Sequence, residues 1–102
     1  MDVFVFCGSN CGKIHFLGNG KIIGEEVPGF EASGYLSTKA REARGSVPKI
    51  LLDCGDIVWG SEVWWMEYCR GVNFVAKMRS EDRLINVTVS DMRYGLLRKS
   101  VA

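Results

Sequence analysis

The sequence predicts an α+β fold, a mostly antiparallel sheet of about five or six strands with one or two short helices. Short runs of β-branched and aromatic residues recur along the chain, and each reads as a strand. Turn chemistry separates them: Gly8-Ser9-Asn10, Gly18-Asn19-Gly20, Pro28-Gly29 and Asp53-Cys54-Gly55-Asp56. One stretch, 30–47, replaces the β-formers with small and charged residues, which suits a helix better than a strand.

Val3 to Cys7 opens the chain as a strand, and Lys13 to Leu17 returns as the second arm of a hairpin. Lys21 to Val27 reads as a third strand after the Gly18-Asn19-Gly20 reversal. Ser37 or Thr38 is placed to N-cap a short helix running to Arg44, with Gly45 stopping it, and an exposed loop with one or two helical turns fits the stretch equally well. Lys49 to Leu52 is a buried strand by its apolar run, joined through the acidic Cys-Gly turn to Ile57-Val58-Trp59. Between Ser61 and Arg70 the signals conflict. Ser61 and Gly71 suit helix ends, whereas Val63, Trp64, Trp65 and Tyr68 favour extended structure, which is the preferred reading. Residues 73–79 fit either period, and Ser80-Glu81-Asp82 reads as a turn or helix end. Leu84 to Val89 is the clearest strand signal, with Ser90-Asp91 starting a short helix weakened by Gly95.

Composition narrows the function classes. The 102 residues fit a single domain, 1–102, and 47% hydrophobic with 25% charged residues is globular rather than disordered. A formal net charge of +1 supplies no global field towards nucleic acid or anionic lipid. The start lacks the basic and apolar run of a secretory signal, and no apolar stretch of about 18 residues occurs. The expected location is therefore cytoplasmic, with no membrane partner and with reduced cysteines.

Cys7 and Cys11 flank a turn, His15 follows at the same interval, and Cys54-Gly55 repeats the cysteine-glycine pairing later. Zinc needs thiolates and imidazoles converging at about 2.0–2.3 Å, which a tight turn can arrange. The Cys7–Cys11 segment loosely resembles a zinc-ribbon knuckle, with three residues between the cysteines instead of two. Cys7, Cys11, His15 and Cys54 are thus the candidate zinc ligands. Core thiols and no cofactor are the preferred reading, because free cysteine packs as a small hydrophobe.

Enzyme chemistry finds less support. His15 is the single histidine, so a thiol nucleophile has one available imidazole base, across the hairpin from Cys7. No oxyanion donors or orienting acid accompany that pair. Asp53, Asp56 and Glu62 suit a hard cation or an acid–base pair, but acidic turns also form for local hydrogen bonding. No phosphate-cradling glycine motif is present.

The aromatic cluster is the most unusual feature. Trp59, Trp64, Trp65 and Tyr68 fall within ten residues and include all three tryptophans. On a strand, Trp64 and Trp65 point to opposite faces, so one ring leaves a one-sided core. Gly55 to Trp59 is similar to the opening strand of PWWP or Tudor-like barrels, without the proline-tryptophan pair of that motif. The expected function is non-enzymatic macromolecular interaction, of the kind seen in inhibitory or accessory proteins. Trp59, Trp64, Trp65, Tyr68, Arg41 and Arg44 form the expected contact set for a protein partner. The alternatives are a β-rich module binding single-stranded nucleic acid with the same rings plus Arg93, and a zinc-stabilised or cysteine-dependent small enzyme. Self-association through an uncovered strand edge is a further expectation.

Overall fold

A computed structural model describes residues 1–29, 38–43 and 45–93. Six strands form one sheet: β1 (Asp2–Asn10), β2 (Lys13–Glu26), β3 (Val47–Leu52), β4 (Ile57–Trp59), β5 (Trp64–Glu67) and β6 (Leu84–Asn86). Their order is β4-β3-β2-β1-β5, with β6 beside the first part of β2. Helix α1 (Thr38–Ala43) precedes β3, α2 (Tyr68–Ser80) joins β5 to β6, and the single-turn α3 (Val89–Arg93) follows β6. The expected α+β class, with a mostly antiparallel sheet, is the one observed.

β1 runs against β2 and β5 in antiparallel register, while β6 is parallel to β2. β5 and β6 therefore point the same way, with β1 and β2 lying between them. Parallel strands need a crossover connection, and α2 provides it. The helix passes over the intervening strands and covers one face of the sheet.

β1 is consequently buried on both sides, which explains its uninterrupted apolar run. Val3 and Val5 face a core layer containing Ile50, Leu52, Val58, Val63 and Val89. Phe4 and Phe6 face a second layer with Phe16 and with Val75 of α2. Irregular pairing at Val5/Phe6, Phe6/Gly8 and Ile22/Gly24 bends the sheet around the first layer. The curl brings the chain after β4 near β5: a Cβ on Gly60 would lie 3.2 Å from Cζ3 of Trp65.

Several local expectations change. The first hairpin reverses at Cys11-Gly12, not at Gly8-Ser9-Asn10; Asn10 pairs with Lys13, and Cys11 (φ +52) and Gly12 (φ +79) are both left-handed. That is the two-residue loop whose twist matches its strands, and Gly12 meets half of its demand without strain. Residues 13–26 form one strand, because Gly18-Asn19-Gly20 stays in the sheet, with Gly18 (φ +119) at an irregularity, and the strand swaps its outer neighbour from β6 to β3 there. At 84–89 the strand stops at Asn86. Thr88 instead caps α3: its Oγ1 accepts from the Asp91 N–H at 3.1 Å, and Asp91 Oδ2 accepts from the Thr88 N–H at 3.0 Å. The expected helix at 38–44 is present as α1, and the Gly45 N–H donates to the Glu42 carbonyl. Ser37, Arg44 and Gly95 lie outside the described residues.

The largest departure is α2. Trp64–Glu67 is extended as expected, but from Tyr68 the chain is helical, with Gly71 inside the helix rather than at its end. Tertiary packing overrides the β preference here. Val75 and Met78 are buried beneath the helix, and Gly71 admits the ring of Phe4. The helix closes with the Arg83 N–H on the Met78 carbonyl (2.8 Å) and the Asp82 N–H on the Arg79 carbonyl (3.2 Å), Asp82 being left-handed. This is a Schellman ending.

Gly71 separates two effects of opposite sign. In an open helix, glycine to alanine stabilises by about 1 kcal/mol. Here a Cβ would meet Cδ2 of Phe4 at 2.4 Å, and that ring is itself core. Overpacking costs about 1–3 kcal/mol and wins. Gly71→Ala is expected to lower the denaturation midpoint, and Phe4→Leu in the same chain to recover part of the loss. A higher midpoint for Gly71→Ala would show that Phe4 does not pack on the helix as described.

Candidate interaction site

The antiparallel register of β1 and β5 builds the site. Phe6 lies opposite Trp64, Phe4 opposite Met66 and Val5 opposite Trp65. Opposite residues share a face, so Trp64 and Met66 stand on the α2 side and Trp65 on the other. The prediction that the adjacent tryptophans diverge is met.

Trp64 stacks on Phe6 with centroids 4.2 Å apart and planes 20° from parallel. Tyr68, the first residue of α2, stacks on Phe4 at 5.1 Å and 14°. Beneath them Phe6 is held by Phe16 at 5.4 Å and by the edge of Phe74 at 5.7 Å. The outer rings remain accessible: Trp64 is 40% exposed and Tyr68 50%. Each is fixed from below by a buried ring, and such pairs contribute about 0.5–1.5 kcal/mol beyond the area they cover. The result is a preorganised aromatic ledge with one wet side. Val72, one helical turn after Tyr68, extends its apolar surface.

The other expected contacts separate from this ledge. Trp65 is half-buried against the Val3/Val5 layer. Trp59 is half-buried on β4, where the Lys49 ammonium lies 5.6 Å from its ring centroid while also pairing with Glu26. Arg41 lies on α1, and Arg44 lies outside the described residues. Two of the four aromatics thus form the exposed site, supported from beneath by Phe4, Phe6 and Phe74, which sequence reasoning missed. The pairing of Phe6 with Trp64 depends on strand register, and no local signal carries that.

The candidate metal ligands do not converge. Cys7 and Cys11 are four residues apart on a strand leading to the hairpin tip, roughly 13 Å at the usual rise. Cys11 is exposed at that tip, and Cys54 lies in the β3–β4 turn with its thiol 3.5 Å from Asp56. His15 is buried on β2. Among the described residues no three histidine, cysteine or acidic side chains gather as a metal site. Glu62 leaves the acidic trio with Asp53 and Asp56 to pair with Arg93.

Cys7 is no ready nucleophile either. Burial, followed by the negative charges of Asp91 and Glu62, pushes its thiol from 9.0 up to about 11. A thiolate reacts and a thiol does not, so at pH 8 Cys7 should alkylate about a hundredfold more slowly than a thiol of ordinary acidity. The exposed Cys11, Cys54 and Cys69 should label first, as peptide-resolved iodoacetamide kinetics would read. Because the folded chain holds this proton more tightly, the linked stability is complete below about pH 9. It is lost as pH rises through about 11. Cys7 labelling at the pace of the other three would contradict this burial.

No helix among the described residues is long and apolar enough to cross a membrane. Comparison of the chain with models of protein families, with curated proteins and with solved structures finds no match.

Proposed function

We propose that this protein is a non-enzymatic interaction module that binds another protein through the Trp64–Tyr68 ledge. One observation carries the reading: two large, accessible rings, Trp64 and Tyr68, are each stacked on a buried phenylalanine of the same strand, Phe6 and Phe4. Tryptophan and tyrosine dominate binding hot spots because they offer much contact area with few rotors to freeze. Here the stacking has already fixed them, so little rotamer entropy remains to be lost on binding. An accessory or inhibitory role in the cytoplasm fits such a module.

The test is affinity capture from the native host with mass-spectrometric identification, using the wild-type chain, Trp64→Ala, Tyr68→Ala and Trp59→Ala. A hot-spot loss of about 2 kcal/mol weakens the identified complex about 30-fold. Trp64→Ala and Tyr68→Ala should show that loss while remaining folded by circular dichroism, with melting temperatures lowered by the lost stacking, while Trp59→Ala should bind as wild type. Equal binding by all four would remove the ledge from the interface. Nuclease-sensitive capture, with oligonucleotide affinity falling steeply as salt rises, would replace the protein partner with single-stranded nucleic acid.

A further inference from the structure

We infer that the partner docks as an extended peptide strand, added to the outer edge of β5 in the trough between β5 and α2. This deepens the reading of the Trp64–Tyr68 ledge and rests on it. β5 is the last strand of the sheet, bonded to β1 along Val3–Phe6, and among the described residues no strand pairs with its other side. A cavity of about 610 Å³ opens there, lined by Trp65, Met66, Glu67, Arg70 and Phe74. Successive strand residues point to opposite faces. A cavity touching Trp65, Met66 and Glu67 in turn must therefore run along the edge, where the main chain is open. Arg70 and Phe74, one helical turn apart, form the opposite wall.

The floor of this trough is a row of peptide groups repeating at strand spacing, so its complement is another strand. The walls specify the rest. Met66 and Phe74 suit an apolar side chain. Glu67 and Arg70 give the trough one charge of each sign. Arg70, on the helix wall, is exposed and has no ion pair among the described residues, so it offers a guanidinium to a carboxylate held on that wall, away from Glu67. The occupant is a short extended segment of a partner protein, rich in β-branched residues and carrying an acidic one.

A second copy of this chain fits less well. Its edge brings its own α2 to the same side of the joined sheet. The shared ladder would also be only four residues, roughly 13 Å, which is far short of a standard interface.

The probe is a phage library of random nine-residue peptides panned on the full chain, followed by synthesis of the selected sequence. Enriched peptides should alternate β-branched residues and contain an acid. Their binding should shift the amides of residues 64–67 and protect the alternate ones that point away from β1. Methylating alternate peptide amides should weaken binding at least about tenfold by removing ladder donors, and Arg70→Glu should do so by reversing the wall charge. Peptides that perturb the Trp64 and Tyr68 rings but not the 64–67 amides, or that tolerate amide methylation, would overturn the edge and leave the ledge standing. A library yielding no binder would also overturn it. So would a concentration-dependent dimer whose 64–67 amides are protected and which no peptide displaces.

Discussion

Replacing Glu62 with alanine is expected to cost about 3–5 kcal/mol of folding stability, the usual consequence of removing one member of a buried, hydrogen-bonded ion pair. Glu62 and Arg93 have side chains only 12% and 13% exposed. The guanidinium meets the carboxylate with two bonds, Nε to Oε1 at 3.0 Å and Nη2 to Oε2 at 2.7 Å. Nη2 also donates to the Ile57 carbonyl at 2.8 Å, and Glu62 Oε2 accepts the Trp59 N–H at 3.0 Å. One pair therefore ties α3 to β4 and to the turn before β5. It also holds Val89 and Met92 against the Val3/Val5 layer. In a domain of this length each kcal/mol moves the melting temperature by about 4–8 °C, so Glu62→Ala should melt at least about 12 °C lower.

The pair's specificity is separable from its net strength. Replacing both partners with leucine removes both charges of this pair together, so it should cost less than Glu62→Ala alone. Thermal melts of the two single variants and the double variant form the cycle that reads the coupling. A loss below about 1 kcal/mol for Glu62→Ala would mean that the Glu62 carboxylate is not what anchors Arg93 and α3.

Much of the sheet was legible because its signals are local. Val3–Cys7 announces a strand, and Ile57–Trp59 follows a turn that the sequence marks with Gly55 and two aspartates. Thr38 and Gly45 likewise mark the ends of α1. What was not legible depends on partners distant in sequence. Val87-Thr88-Val89 has strand composition, yet Asp91 recruits Thr88 as a cap and Val89 enters the core from a helix. Tyr68 to Ser80 reads poorly as a helix until Phe4 supplies the ring that lies against Gly71. The candidate site divides the same way. An exposed tryptophan was foreseeable from the adjacency of Trp64 and Trp65. Which ring is outward, and what lies beneath it, follows from the Phe6–Trp64 register alone.

That register makes Phe6 the residue where fold and site meet. Phe6 is fully buried and touches Trp64, Phe16 and Phe74. Phe6→Ala should destabilise the chain by about 3–5 kcal/mol, because the lost transfer energy is joined by the cavity left among rings that cannot collapse inward. Phe6→Leu retains most of the apolar volume and should cost less, but it removes the flat support on which the Trp64 indole rests. If stacking preorganises the ledge, Phe6→Leu will fold yet bind the captured partner more weakly. Trp64 fluorescence anisotropy decay should then report a looser ring in the free protein. Denaturant melts, binding isotherms and anisotropy on Phe6→Leu, with Trp59 and Trp65 replaced by phenylalanine to isolate the signal, separate the two contributions. Undiminished affinity with a loosened indole would show that partner contacts, rather than prior ordering by Phe6, set the strength of the site.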